Sequence, residues 1–248
     1  EIPLAIAKAF YIARSGRPGP VLIDITKDAQ FATFDFNYTP CIGVRSYKPV
    51  PKVDPTAIDN AAALIAAAEK PLIVWGQGVI LGKAEAEFKA FVEKSNIPAA
   101  WTILGVSAIA TDHPLNVGMV GMHGNYGPNK LTNECDVLIA IGMRFDDRVT
   151  GNLETYAKQA KIIHLEIDPA EINKNVNSDV AVLGDVKETL PLLTEKITSK
   201  PYTNWFAAFK SHDEIEFEKV IKNDLYPTKE GLTMGEVLKE INRASNDD

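Results

Sequence analysis

The stretch Val137-Leu138-Ile139-Ala140-Ile141-Gly142-Met143-Arg144-Phe145-Asp146-Asp147-Arg148-Val149-Thr150-Gly151 decides the fold. Its first five residues are uniformly apolar, the pattern of a strand buried on both faces of a parallel sheet. Arg144, Asp146, Asp147 and Arg148 then place four charges in five residues. Charge at the end of a buried strand is costly unless a partner or a ligand uses it. In open α/β sheets, ligands sit at the carboxyl ends of strands. A solvated turn is the competing reading. Asp146 and Asp147 could also form a carboxylate pair or a metal site, but arginines on both sides favour ion pairing.

Working outward, the same alternation recurs. Asp54 is an N-cap with Pro55 at the first helical position, and Ile58, Ala61, Ala62, Ile65 and Ala68 supply one apolar helix face. Leu72–Trp75, Pro98–Thr102, Val137–Ile141, Ile162–Ile167 and Val180–Leu183 read as strands. Ala84–Ser95, Tyr126–Glu134 and Asp185–Thr198 read as helices, with a helical turn at Pro169–Asn173. Pro191 marks a kink or a late start in the last helix. Short, continuously apolar strands separated by helices predict an α/β fold: a doubly wound, Rossmann-like parallel sheet with helices on both faces.

Residues 1–30 read as a helix, the turn Ser15–Pro20, and a strand at Val21–Ile25. Residues 31–53, with prolines and mixed aromatics, read as an extended linker. Residues 54–200 form the central domain. Residues 201–248 form a linker, notably at 224–231, and the start of another domain at Leu232–Ile241. The chain opens on the amphipathic stretch Ile2–Ala13 without a methionine or signal sequence and stops at Ser245–Asp248. Both ends read as cut from something longer, so any targeting sequence would lie outside.

Composition narrows the function. The chain has 248 residues, 46% hydrophobic and 24% charged, as in globular proteins with a substantial core. A formal net charge of −7 argues against broad nucleic-acid binding. No apolar run is long enough for a membrane span. Cys41 and Cys135 lack metal or redox spacing and suit a reducing compartment. GxSxG, HExxH and Walker A patterns are absent.

Each of the five strands runs into a small or charged cluster: Gly76-Gln77-Gly78, Ile103-Leu104-Gly105, Gly142-Met143-Arg144, Glu166-Ile167-Asp168 and Gly184-Asp185. Tight turns alone would explain some of these glycines. All five together, with acids and an arginine, favour a ligand crevice over turn chemistry. Gly76-Gln77-Gly78 followed by Gly82 is GxGxxxG, short of a dinucleotide fingerprint, although glycines there would let backbone approach a bulky group. Gly121-Met122-His123-Gly124 is a second place where backbone donors could gather. Glu166 and Asp185 suit ribose hydroxyls, and Arg144 and Arg148 could neutralise a pyrophosphate. The ligand implied is an extended dinucleotide across the sheet edge. His113 and His212 read as surface residues and His164 as a hydrogen-bonded core histidine. His123 reads equally as a ligand neighbour or a plain loop residue.

Gly121–Gly124, Arg144–Gly151 and Gly184-Asp185-Val186 stand in the order and spacing seen in the acetolactate synthase (acetohydroxyacid synthase) catalytic subunit, a thiamine-diphosphate enzyme. Arg14–Lys27 resembles the end of the pyrimidine-binding domain of such enzymes. The resemblance covers nearly the whole chain, most strongly Arg14–Lys27 and Pro71–Val186. It implies a DHS-like NAD/FAD-binding central domain and FAD contacts at Arg17, Gly76, Gln77, Gly78, Thr102, Ile103 and Leu104. It implies further contacts at Gly121, Met122, His123, Gly124, Gly142, Met143, Arg144, Asp146, Arg148 and Val149, and at Glu166, Ile167, Asp185 and Val186. Glu166 stands where the family more usually has aspartate, and Gln77 where relatives often carry glycine. Lys27, Met122, Asp147 and Arg148 match positions near the family's substrate channel.

The resemblance implies no catalytic or metal-ligating residue in this chain. Thiamine diphosphate and Mg2+ would bind outside it: the activating glutamate belongs before residue 1 and the metal-diphosphate motif after residue 248. The parent would decarboxylate pyruvate and condense the product with pyruvate or 2-oxobutyrate, for branched-chain amino-acid synthesis. It would be a cytoplasmic homodimer or homotetramer, with a possible regulatory small subunit and no nucleic-acid or membrane partner. The isolated fragment would be inactive. The alternatives are the central domain of a pyruvate oxidase or glyoxylate carboligase, a nucleotide-binding module without catalysis, or a domain that has lost its cofactor, as in catabolic acetolactate synthases.

Overall fold

The computed structural model describes residues 1–228 and 231–245. The linker read at 224–231 and the final residues 246–248 therefore lie partly or wholly outside the described residues. Six strands, β1 (Pro71–Trp75), β2 (Ala99–Trp101), β3 (Asn116–Met119), β4 (Val137–Ile141), β5 (Lys161–Glu166) and β6 (Val180–Leu183), form one sheet. All neighbours are parallel, in the order β3-β2-β1-β4-β5-β6. Every residue of β1 and β4 is buried, as uniformly apolar central strands require. The chain starts at β1, builds outward to β3, then returns to lay β4 on the other side of β1. That reversal between β1 and β4 opens a crevice at the carboxyl ends.

Among the described residues the α-helices are α1 (Ile2–Ala13), α2 (Lys27–Phe31), α3 (Pro55–Ala67), α4 (Gln77–Leu81), α5 (Glu85–Ser95), α6 (Tyr126–Thr132), α7 (Asp147–Thr150), α8 (Val186–Lys196), α9 (Thr203–Glu216), α10 (Lys222–Leu225) and α11 (Met234–Ser245), with a 3-10 turn at Ile103–Gly105 and a π-helical turn at Phe217–Ile221. Helices cover both faces of the sheet. α3 and α5 pack with α8, and α6 packs with α9. The α3 N-terminus is capped as expected: Asp54 accepts the Thr56 N–H at 2.9 Å, with Pro55 behind it. Trp75, Phe88, Phe91 and Ile139 are fully enclosed, each contributing about 1.5–3 kcal/mol of burial. The polar edges of the buried indoles are satisfied, Trp75 by the Gly105 carbonyl and Trp205 by the Pro71 carbonyl, both at 2.8 Å.

Four elements depart from the sequence reading. Strand β3 was not expected, because Asn116-Val117-Gly118-Met119 has no apolar run and its register against β2 shifts between Ala99 and Trp101. Gly118, at φ +103°, sits in that irregularity. Val21–Ile25 does not form a strand: among the described residues it pairs with nothing, and Leu22 is 94% exposed. Its apolar pattern supplies a strand former without the neighbour that would make it one. Helix α8 begins at Val186 and continues through Pro191, so the proline marks no late start. Beyond residue 200, the segment read as linker forms α9, and Tyr202, Trp205 and Phe209 join the core.

Candidate cofactor site at the carboxyl edge of the sheet

A cavity of about 710 Å³ lies along the carboxyl edge, within the range of pockets that hold cofactor-sized ligands. All six strands contribute to it, one more than the sequence suggested. Gly76, Gln77 and Gly78 enter from the turn after β1, and Thr102, Ile103 and Leu104 from the turn after β2. Gly121, Met122 and His123 follow β3; Gly142, Met143, Arg144 and Asp146 follow β4, with Arg148 and Val149 from α7. Glu166 and Ile167 end β5, Asp185 and Val186 follow β6, and Arg17 arrives from the N-terminal turn. Thus every residue expected to touch a cofactor lines this cavity except Gly124.

Gly124 is packed beneath it, where a Cβ would collide with the Met119 carbonyl. Of the substrate-channel positions, Met122 and Arg148 line the cavity, whereas Lys27 and Asp147 are exposed and outside it. Gly16, Pro18, Leu81, Gly82, Met119 and Val120 also line it and were not foreseen. Met119 and Val120 were hidden with β3. Leu81 and Gly82 lie one turn beyond Gly76–Gly78, a spacing that could have pointed to them.

The strand-end glycines serve the chain as much as a ligand. The Gly78 N–H donates to the Gly142 carbonyl at 2.8 Å, and a Cβ on Gly78 would stand 2.6 Å from the Gly142 Cα. Gly142 itself is at φ +55°. The two turns flanking the crevice therefore cross backbone on backbone, which only glycine permits. The Gly78 N–H is therefore spent inside the fold and is not free for a ligand.

The octapeptide Arg144–Gly151 resolves into distinct roles. Asp146 caps α7, its Oδ1 accepting from Arg148 N–H at 3.1 Å and Val149 N–H at 3.2 Å. Its Oδ2 takes the Arg144 Nε at 3.0 Å, so ion pairing is what Asp146 does. The Arg148 guanidinium has only the Met122 Sδ, 3.6 Å from Nη1, as a partner among the described residues. A half-wall of exposed apolar side chains, Ile103, Leu104 and Met122, stands at the cavity mouth. One stretch of wall is thus apolar and cationic, while Glu166 and Asp185 supply carboxylates elsewhere.

Glu166 is buried, and burial pushes its carboxyl up, against the pull of the Asp168 and Ile167 amides and of Arg17. Its Oε1 already accepts the Ile167 and Asp168 N–H groups, at 3.0 and 3.2 Å. The longer glutamate arm therefore curls back on its own turn, while Oε2 lies 3.8 Å from the His164 Nε2 and accepts no hydrogen bond from the described residues. Asp185 caps α8 by accepting from the Lys187 N–H at 2.9 Å. His164 lies in the core beneath, with Nε2 2.9 Å from the Met143 carbonyl. Burial holds it below its ordinary value, and Nδ1 has no partner among the described residues. His123 lies exposed in the cavity wall. His113, read as a surface residue, is instead half-buried, its Nδ1 accepting the Leu115 N–H at 3.2 Å and its Nε2 3.5 Å from Glu93.

A sheet in this order, with a long crevice at the reversal of strand order, defines an α/β protein of the doubly wound, Rossmann-like class. Residues 58–193 match the family described as thiamine pyrophosphate enzyme, central domain, and the chain belongs to that family. It is 48% identical over 193 residues to the probable acetolactate synthase large subunit of Methanocaldococcus jannaschii, covering 77% of this chain and 33% of that protein. It is 46% identical over 195 residues to the acetolactate synthase large subunit of Corynebacterium glutamicum, covering 79% and 31%. The acetolactate synthase large subunit of Buchnera aphidicola is 35% identical over 256 residues, covering 100% of this chain and 45% of that protein. The chain therefore spans about a third to under half of the length of these relatives.

Proposed function

We propose that the cavity binds FAD and that the chain is the central part of an acetolactate synthase catalytic subunit. The observation that carries this reading is the convergence of all six strand ends on one cavity of about 710 Å³ lined by glycines, three carboxylates (Asp146, Glu166 and Asp185) and three arginines. The relatives, all acetolactate synthase large subunits, favour the same reading. The wall suits the cofactor chemically. Oε2 of Glu166 and the Asp185 carboxylate would accept from ribose hydroxyls, Arg144 and Arg148 would face the pyrophosphate, and Ile103, Leu104 and Met122 would cover an apolar ring system. Lys27 and Asp147 would serve a substrate channel only if further parts of the subunit bring it to them.

In the parent, thiamine diphosphate with Mg2+ would supply the carbon–carbon bond chemistry on pyruvate and a second 2-oxo acid. This chain's residues hold and orient the flavin and exclude water from it. The parent would be a cytoplasmic homodimer or homotetramer, with a regulatory small subunit as a further partner. No helix among the described residues is long and apolar enough to cross a membrane.

The test is flavin binding by the full-length protein, which should purify yellow or quench FAD fluorescence on mixing. A full-length protein that leaves FAD fluorescence unchanged overturns the flavin reading. If NAD competes and FAD does not, the site is a nucleotide module of another kind. Replacing Arg148 by Ala removes the cation held only by a thioether contact. It should weaken FAD retention about tenfold, the worth of one charge-assisted contact, and leave the thermal midpoint unchanged. Unaltered retention would remove Arg148 from the site.

A further inference from the structure

The N-terminal turn reaches the cavity through Arg17, and the chain holds that side chain with groups no cofactor contact explains. Arg17 Nη1 donates to Asp168 Oδ2 at 3.1 Å and to Glu171 Oε1 at 2.5 Å. Glu171 is only 8% exposed, and the same oxygen takes Lys174 Nζ at 2.9 Å. Burial alone would raise the Glu171 carboxyl, but the bonds from Lys174 and Arg17 outweigh it and hold it below the usual range. Asp168 is fixed by its own turn: Oδ1 accepts the Ala170 N–H at 3.0 Å, and its N–H goes to Glu166. The acidic receptor therefore belongs to the turn after β5.

The turn is also gripped from behind. The Tyr47 hydroxyl donates to the Ser15 carbonyl at 2.7 Å, and its ring meets Tyr11 edge to face at 6.3 Å between centroids. Gly16, at φ +60°, lets the chain pass close to Pro49. A guanidinium carries five N–H donors. Nη1 alone is committed to carboxylates, and among the described residues Nε and Nη2 have no partner.

We infer that Asp168 and Glu171 are positioning residues that clamp Arg17 in the cavity wall, where its remaining donors meet an anionic group of the ligand. Ligand occupancy and docking of the Ser15–Gly19 turn then stabilise each other, since such coupling is reciprocal. The ligand half of this inference rests on the flavin reading above; the clamp itself does not.

The experiment uses the full-length protein, with FAD titrated by fluorescence quenching and hydrogen exchange read at the Ser15 and Gly19 amides. Those amides bond to the Ile12 and Ala13 carbonyls. Glu171→Gln should weaken FAD binding roughly tenfold and speed exchange at both amides even without FAD. Asp168→Asn should do the same more weakly, and serves if Glu171→Gln loses its native circular dichroism. The pair Arg17→Glu with Glu171→Arg should restore slow exchange but not FAD affinity, because the cation no longer reaches the cavity from the turn. FAD should slow exchange at Ser15 and Gly19 in the unaltered protein and not in Glu171→Gln. Both single variants leaving exchange and FAD affinity within twofold of the unaltered protein overturns the inference. If the unaltered protein binds no FAD, the flavin reading falls and the ligand half with it, while the exchange comparison still decides the clamp.

Discussion

Residues 1–53 and residues 54–216 are both rich in apolar side chains, yet they treat them oppositely. In the sheet region Leu72, Ile73, Leu138 and Ile139 are fully enclosed, whereas in the N-terminal region Leu22 and Ile42 are each 94% exposed and Phe31 79%. Apolar content predicts burial only where the topology provides a second layer. The sheet region has helices on both faces. The N-terminal region instead meets it through the ion pairs of Arg17 with Asp168 and Glu171, and through Val53, which packs against the core. One region is held by its core, whereas the other carries most of its large apolar side chains exposed.

Each region carries one cysteine, which allows the contrast to be tested at its strongest. Burial and the neighbouring Asp136 push the Cys135 thiol up to about 12, so at pH 8 roughly one part in ten thousand is thiolate. Cys41 lies partly exposed in the extended segment. A thiol reagent should label Cys41 within minutes and leave Cys135 unreacted until the chain unfolds, as peptide mapping would show. Labelling of Cys135 at a comparable rate would mean that the core opens as readily as the N-terminal region.

A pair of truncations comes next. Leu138→Ala in β4 should cost about 3 kcal/mol of unfolding free energy. Leu22→Ala should stay within about 0.5 kcal/mol, as exposed substitutions do. Chemical denaturation of the 248-residue chain measures both. Equal costs would show that Leu22 is buried in solution and erase the distinction.

The smallest effect sharpens the comparison inside the core. Burial holds His164 below its ordinary value of 6.5, so the fold keeps it neutral. A depressed value contributes stability that is present above the unfolded value and lost as pH falls through the folded one. The unaltered chain should therefore lose more thermal stability than His164→Gln on acidification below pH 6.5. Glu166, with its carboxyl raised, works in the opposite sense, and its Oε2 lies 3.8 Å from the His164 Nε2, so the comparison reads the imidazole together with its effect on that carboxyl. Parallel acid profiles would show that His164 protonates without cost.

The class of fold was readable because its signals are local. Five of the six strands are runs of apolar side chains, visible without knowing their neighbours, and Asp54-Pro55 announced a helix that begins where it should. The lining of the cavity was named nearly residue by residue, in part from strand-end chemistry and in part from the resemblance to acetolactate synthases. β3 escaped because Gly118 interrupts it, and α9 because its buried face rests on only Trp205 and Phe209.

The octapeptide thus shows how far the residues alone could go. They placed its charges at a strand end beside a crevice and favoured ion pairing for Asp146 over metal binding. They could not say that Asp146 would be spent on the α7 cap and Arg144 while the Arg148 guanidinium stayed uncommitted. Nor could they say that Gly78 would donate to Gly142, or that Arg17 would meet carboxylates 151 and 154 residues away. Periodicity and capping act within a few residues, and a chain carries them in plain order. Strand order and ion pairing depend on which distant segments the sheet brings together, and that only the folded topology decides.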